Sequence, residues 1–242
     1  MASVGAVLLL LIGFVEKRHH NKVINHVEIN LAQEDENYFI DQNDILKMLT
    51  ESNAETVIGA SFENIDLKAI ESRIEHNKFV KGAEVFKDLK GNLIINVSQR
   101  RPIARIIRAT AADAYVANDG MTFPTSLKYT ARVLLVSGAK SNELLADGFS
   151  TSEYGKQLLT FLQFVEQSPF WKAEIAQAEI AKDGDITLYP QIGRQVIDFG
   201  QPDNIEDKFK RLDIFFKKIL PVKGWNYYQK LSIKYNNQIV CE

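Results

Sequence analysis

Residues 64–106 read NIDLKAIESRIEHNKFVKGAEVFKDLKGNLIINVSQRRPIARI, and this stretch decides the fold. Asp66 is a good N-cap, and Leu67, Ile70 and Ile74 recur at helical spacing behind it, which predicts a helix that Asn77 is suited to end. Phe79 to Phe86 and Leu93 to Val97 then alternate as strands around Lys90-Gly91-Asn92, a turn of hairpin type. Working outward to the N-terminal side, Val27, Ile29 and Leu31 alternate with Glu28 and Asn30, again the strand period. Asp41, with Asp44 three residues on, precedes Ile45, Met48 and Leu49 on one helical face. The order strand, helix, helix, strand, strand over residues 23–102 predicts a small α+β unit with two helices on one sheet face.

Pro102 is expected to end the ladder of this unit's last strand, and beyond it the pattern changes. Ala114 to Pro124 reads as a strand, an Asn-Asp-Gly turn and a second strand, and Leu134 to Val136 as a short buried strand. A helix is expected from about Ser152 to Gln167, with Tyr154, Leu158, Leu162 and Val165 at helical spacing. Ile175 to Ala181 and Asp185 to Tyr189 form a hairpin around Asp183-Gly184, and residues 193–200 add another strand. A last helix, capped near Asp203 or Asn204, carries Phe209, Leu212, Phe216 and Ile219 on its core side, and Pro221 is expected to stop it. Trp225 to Glu242 alternates in places, as closing strands do.

Ala2 to Val15 is an uncharged run of 14 residues, followed by Glu16, Lys17, Arg18, His19, His20 and Lys22. As a helix it reaches roughly 21 Å, against about 30 Å of hydrocarbon. It lacks a basic leading region and a small-residue cleavage site, so it reads as the remaining part of a signal anchor. The alternative is a buried N-terminal helix.

The chain has 242 residues, 45% of them hydrophobic and 25% charged, which is globular composition. Its 29 Lys and Arg against 31 Asp and Glu leave no strongly basic footprint, so nucleic acid is not an expected partner. One cysteine, Cys241, permits neither an intramolecular disulfide nor a cysteine-rich zinc site. His19, His20 and His26 lack carboxylates or cysteines at a recognised ligand spacing, and Asp183-Gly184-Asp185 lacks the ligand set of a calcium loop. No G-x-S-x-G, H-E-x-x-H, Walker or G-x-G-x-x-G motif occurs. The chain is therefore expected to be non-catalytic, with no cofactor, metal or small-molecule substrate. Lys208, Lys210, Arg211, Lys217 and Lys218 give the last helix a basic side, read as a solvated face or as a contact for a partner or lipid headgroups.

The sequence over residues 64–106 resembles the POTRA domain of the FtsQ/DivIB family of bacterial cell-division proteins, including the Arg101-Pro102-Ile103-Ala104 sequence that leads into a second, β domain. Residues 114–124 and the closing segment are similar to the family's β domain, in the form seen in Bacteroidetes-like sequences. The resemblance implies three parts: a membrane anchor and juxtamembrane segment over 1–22, a POTRA domain over 23–102, and an FtsQ-type β domain over 103–242.

It further implies a non-catalytic scaffold of the division machinery, single-pass in the inner membrane through its N-terminal segment. The bulk of the chain would be periplasmic, linking FtsB-like and FtsL-like partners to septal peptidoglycan synthesis. A POTRA-bearing export or outer-membrane assembly factor is the alternative, although further repeats or a barrel would not fit the remaining residues. An envelope hydrolase ranks below both. By the same resemblance, partner binding belongs to the closing strands, with Lys234-Tyr235 in the penultimate strand and Gln238, Ile239 and Val240 on the edge. Tyr235 is either an interface anchor or a core residue. Arg100, Arg101 and Pro102 form the junction between the domains, the two arginines being an exposed strand end or a junction contact.

Overall fold

The computed structural model describes residues 23–32, 38–50, 57–61, 63–146 and 148–242. The expected anchor over residues 1–22 lies outside them. Among the described residues no helix is long and apolar enough to cross a membrane. The chain divides into two compact units between Arg100 and Arg101.

The first unit holds β1 (His26–Ala32), α1 (Gln42–Thr50), α2 (Leu67–Glu75), β2 (Val80–Lys87) and β3 (Asn92–Gln99). Asp41 and Asp44 cap α1 reciprocally: Asp44 N donates to Asp41 Oδ1 and Asp41 N to Asp44 Oδ2, both at 2.9 Å. Asp66 accepts from Ala69 N at 3.1 Å and starts α2. The helix ends with His76 as its C-cap, so that Asn77 is the first residue beyond it, as expected. His76 N donates to Ser72 O, while the Asn77 side chain takes the N–H of Phe79 and shapes the turn into β2.

β3 lies in the middle of the sheet, parallel to β1 and antiparallel to β2, so that Ile29, Ile95 and Val85 share one row. All three are buried, together with Ile45, Leu49, Ile70 and Ile74 of the helices. The hairpin closes on Asp88, whose carboxylate accepts from the N–H groups of Lys90 and Asn92 at 2.8 Å. The bond from Asn92 leads the interactions that hold this carboxyl below the usual range. On the outer side of β2, Glu75 Oε1 accepts from Ala83 N at 3.1 Å and Glu71 Oε1 from Val85 N at 2.9 Å. Helix α2 thus supplies the acceptors that a neighbouring strand would otherwise provide.

The second unit runs β4 (Pro102–Ile106), β5 (Ala114–Ala117), β6 (Thr122–Pro124), β7 (Leu134–Ser137), α3 (Glu153–Gln167), α4 (Pro169–Glu174), β8 (Ile175–Ile180), β9 (Ile186–Pro190) and β10 (Val196–Gly200). It continues with α5 (Ile205–Ile214), a π-helical turn (Phe215–Ile219), α6 (Leu220–Lys223), β11 (Lys230–Ser232) and β12 (Val240–Cys241). These strands form one mixed sheet, ordered β12-β11-β10-β9-β8-β7-β4-β5-β6. Leu158, Phe161, Leu162 and Val165 of α3 pack with Phe199, Phe209 and Trp171 into its core. Ring centroids stand 5.1 Å apart for Phe161–Phe199 and for Trp171–Phe209. Rings at such spacings add about 0.5–1.5 kcal/mol per pair beyond their burial.

The α+β class and the mixed sheet agree with the sequence reading, and two details correct it. Pro102 does not end the last strand of the first unit: β3 stops at Gln99, and Pro102 opens β4 opposite Ala117. Pro221 does not stop the last helix. The chain widens beforehand into the π turn, where Leu220 N donates to Phe215 O, and Pro221 sits in the first turn of α6, where its missing N–H costs nothing. The helix ends instead at Gly224, whose N–H reaches Leu220 O.

Candidate partner-binding site

The mixed sheet ends in β12, two residues long, whose position follows from the loop before it. β10 carries a bulge next to Gly200, and the last ladder bond to β11 and its continuation runs from Ile233 N to Asp198 O at 3.0 Å. Beyond that point the chain has no extended partner and turns. Lys234 and Tyr235 therefore lie past the end of β11, in the loop leading to β12, rather than in the penultimate strand.

Three groups fix this loop. Gly200, at φ +73°, lets the chain pass so close that a Cβ on it would lie 2.6 Å from the Cβ of Lys234. The Lys234 ammonium stands 3.4 Å from Asp198 Oδ2, and the attraction of Asp198 raises its pKa above the ordinary lysine value. Ser232 Oγ donates to the same carboxylate oxygen. Arg211, in α5, reaches across with Nη1 donating to Tyr235 O and Gln238 O, both at 2.6 Å, while its Nε pairs with Asp207 at 3.1 Å.

β12 is antiparallel to β11, with Leu231 opposite Cys241 and Ser232 opposite Val240. Lys230 and Glu242 exchange both backbone hydrogen bonds, at 2.9 and 3.1 Å. Alternation from that pair turns the N–H and C=O of Cys241 away from β11, towards the open edge. Val240 is exposed beside them. Ile239 and Cys241 pack partly against the core, and burial pushes the Cys241 thiol pKa up. The Tyr235 ring is exposed, so it is not a core residue, and the Lys234 ammonium lies 5.6 Å from its centroid. The structure thus gathers Lys234, Tyr235, Gln238, Ile239 and Val240 along one edge and its approach.

The family model described as FtsQ/DivIB, C-terminal related, matches residues 101–242. The chain belongs to this FtsQ/DivIB-related family. Residues 22–98 match the POTRA-like domain, and no curated protein matches the chain.

Within this FtsQ/DivIB-like chain the other singled-out residues separate. Arg100 N donates to Phe79 O in the first unit. Arg101 lies in the second, its Nη2 at 2.7 Å from Glu166 Oε1, an oxygen that Lys172 Nζ also approaches at 2.7 Å. The basic side of the last helix is not one face. Lys208 is buried, donating to Gln201 O and Asp203 Oδ1, with its ammonium 4.9 Å from the Phe199 ring, and Arg211 is occupied by the loop carbonyls. Lys210, Lys217 and Lys218 remain exposed. Asp183-Gly184-Asp185 is the β8–β9 turn, where Gly184 N donates to Ala181 O and Gln201 Nε2 reaches Asp185. His26 is exposed at the start of β1, and His19 and His20 lie outside the described residues. Among the described residues no three His, Cys, Asp or Glu side chains are placed to hold a metal.

The role of Arg211, the bulge and Gly200 escaped the sequence reading. Only the positively charged spacing of the helix was visible there, and nothing local marks which cation reaches a carbonyl 24 or 27 residues away.

Proposed function

We propose that this chain is a non-catalytic scaffold of bacterial cell division that takes a strand of an FtsB-like partner against β12, alone or with an FtsL-like protein. Through them it links to septal peptidoglycan synthesis. The observation that carries the reading is the sheet edge itself. β12 presents the Cys241 N–H and C=O outward, with exposed Val240 and Tyr235 beside them. An added strand gains backbone hydrogen bonds there, and the exposed side chains give it register. Membership of the FtsQ/DivIB-related family makes division the setting. In this reading the boundary between the POTRA-like and β domains falls near Pro102 in the chain, and the apolar run from Ala2 to Val15 holds the chain in the inner membrane with its bulk in the periplasm.

Titration of the full chain with the FtsB-like protein of the same cell tests the site. Tyr235→Ala is expected to weaken binding by about 2 kcal/mol, as the loss of an aromatic anchor does, with folding retained. Removal of residues 238–242 is expected to abolish binding. Unchanged affinity in both variants, with folding confirmed by circular dichroism, places the partner elsewhere. Recovery of an outer-membrane barrel instead of division proteins from membranes refutes the scaffold role.

A further inference from the structure

Residues 214–230, IFFKKILPVKGWNYYQK, contain Lys217, Lys218, Lys223 and Lys230 and no acidic residue, so a segment of charge +4 sits in a chain of net charge −2. The π turn and α6 direct Phe215, Phe216 and Leu220 into the core. That leaves 221–227 as a run in which every residue is exposed. Val222 is 81% exposed, Tyr227 63% and Trp225 41%, and a Cβ on Gly224 would meet nothing within 4 Å. Lone exposed apolar residues are ordinary, but three within six positions of a basic loop are not.

The side chains on this loop are those that suit a lipid boundary. The indole of Trp225 leans on Phe216 at 6.3 Å between centroids, and the Lys223 ammonium lies 5.8 Å from the Tyr227 ring. Trp and Tyr favour the headgroup level, where one end of the ring is apolar and the other wet, and lysines beside them meet anionic headgroups. Lys217 is already paired with Asp213 at 2.7 Å, which leaves Lys218 and Lys223 as the exposed cations flanking the apolar tip.

We infer that the Pro221–Tyr227 loop seats on an anionic lipid surface, with Val222 and Trp225 entering the headgroup boundary and Lys218 and Lys223 facing lipid phosphates. An acidic protein segment shares the charge preference. Lipid fits better because the apolar side chains stand on a loop bordered by open space at Gly224 rather than lining a groove that would grip a chain.

The two tryptophans make the test specific. Trp171 is only 4% exposed, so lipid-borne quencher reports on Trp225. The full chain is mixed with vesicles of phosphatidylethanolamine and phosphatidylglycerol carrying brominated acyl chains. Trp225 emission is expected to shift to the blue and to be quenched, and phosphatidylcholine vesicles are expected to leave it unchanged. Insertion of the apolar Ala2–Val15 run does not depend on headgroup charge, so the phosphatidylcholine vesicles and the charge reversal separate it from seating of the loop.

In Lys218→Glu/Lys223→Glu, more than tenfold more lipid should be needed for half-maximal quenching. Val222→Ser should weaken it without touching a charge, and unchanged Trp171 emission in Trp225→Phe serves as the folding control. Unquenched Trp225 on anionic vesicles overturns the inference, as does quenching indifferent to the charge reversal. Displacement of the vesicles by soluble polyglutamate reassigns the loop to an acidic protein and overturns it too.

Discussion

Arg211→Ala is the perturbation that tests how the candidate edge is built. The guanidinium holds two backbone carbonyls of the loop ahead of β12, at Tyr235 and Gln238. A hydrogen bond from a charged donor is worth roughly 1.5–3 kcal/mol, but both residues are exposed and water replaces the lost donor. About 1 kcal/mol per bond is the appropriate scale, so the pair contributes about 2 kcal/mol to closing the loop. β12 is two residues long and its opening is governed by that closure.

Amide hydrogen exchange at Val240 and Glu242 is therefore expected to accelerate about 30-fold in Arg211→Ala, a decade for each 1.4 kcal/mol. The amides of Leu188 and Ile197, in the interior of the sheet, should keep their protection. Arg211→Lys keeps the charge without the planar fork and should fall between the two. Unchanged exchange at Val240 and Glu242 would refute the clamp. Equal acceleration at Leu188 and Ile197 would also refute it, by making Arg211 a general packing residue.

Gly200→Ala should destabilise the second unit by about 1–3 kcal/mol in urea melts, because it adds a left-handed strain and a clash with Lys234; an unchanged midpoint would show that the loop yields instead. Glu174 is buried with Oε1 lacking a hydrogen-bond partner among the described residues, and burial raises its pKa. The folded state then holds its proton above the pH at which the unfolded chain releases it, so the stability associated with this group is present at low pH and lost as pH rises through the folded pKa. Glu174→Gln should accordingly match the parent near pH 4 and exceed it at pH 7, and a difference independent of pH would contradict this. Replacing Glu71 and Glu75 together by Ala should speed exchange at the Ala83 and Val85 amides while Ile95, in the central strand, stays protected. Unaltered rates at Ala83 and Val85 would show that water caps them equally well.

The elements that were legible in the sequence are those written in local chemistry. Asp41, Asp66 and Ser152 each accept a backbone N–H three residues on, and apolar spacing behind them fixes three helices. The hairpin at Asp88–Gly91 follows equally from turn residues and alternation. Features set by distant residues were not legible. Leu231, Ile233 and Tyr235 alternate as if one strand continued, yet β10 bulges near Gly200 and leaves residues after Ile233 without a ladder partner. Lys208 and Arg211 look alike on a helix wheel, and only the carbonyls supplied by Gln201, Tyr235 and Gln238 separate them from the solvated lysines. Proline 221 suggests a helix end because its missing donor is damaging in a regular ladder. A π turn ending at Ile219, two residues earlier, moves the vacancy to where no donor is needed.

The glutamates of α2 also decide how these molecules behave when crowded. A strand edge recruits a neighbour only when its peptide groups gain more from the newcomer than from what they already hold. On β2 the amides of Ala83 and Val85 are satisfied inside their own unit, so an approaching strand must evict two carboxylates and rehydrate them before it forms its first bond. Many copies can therefore be concentrated at one place in the cell without zipping together along β2.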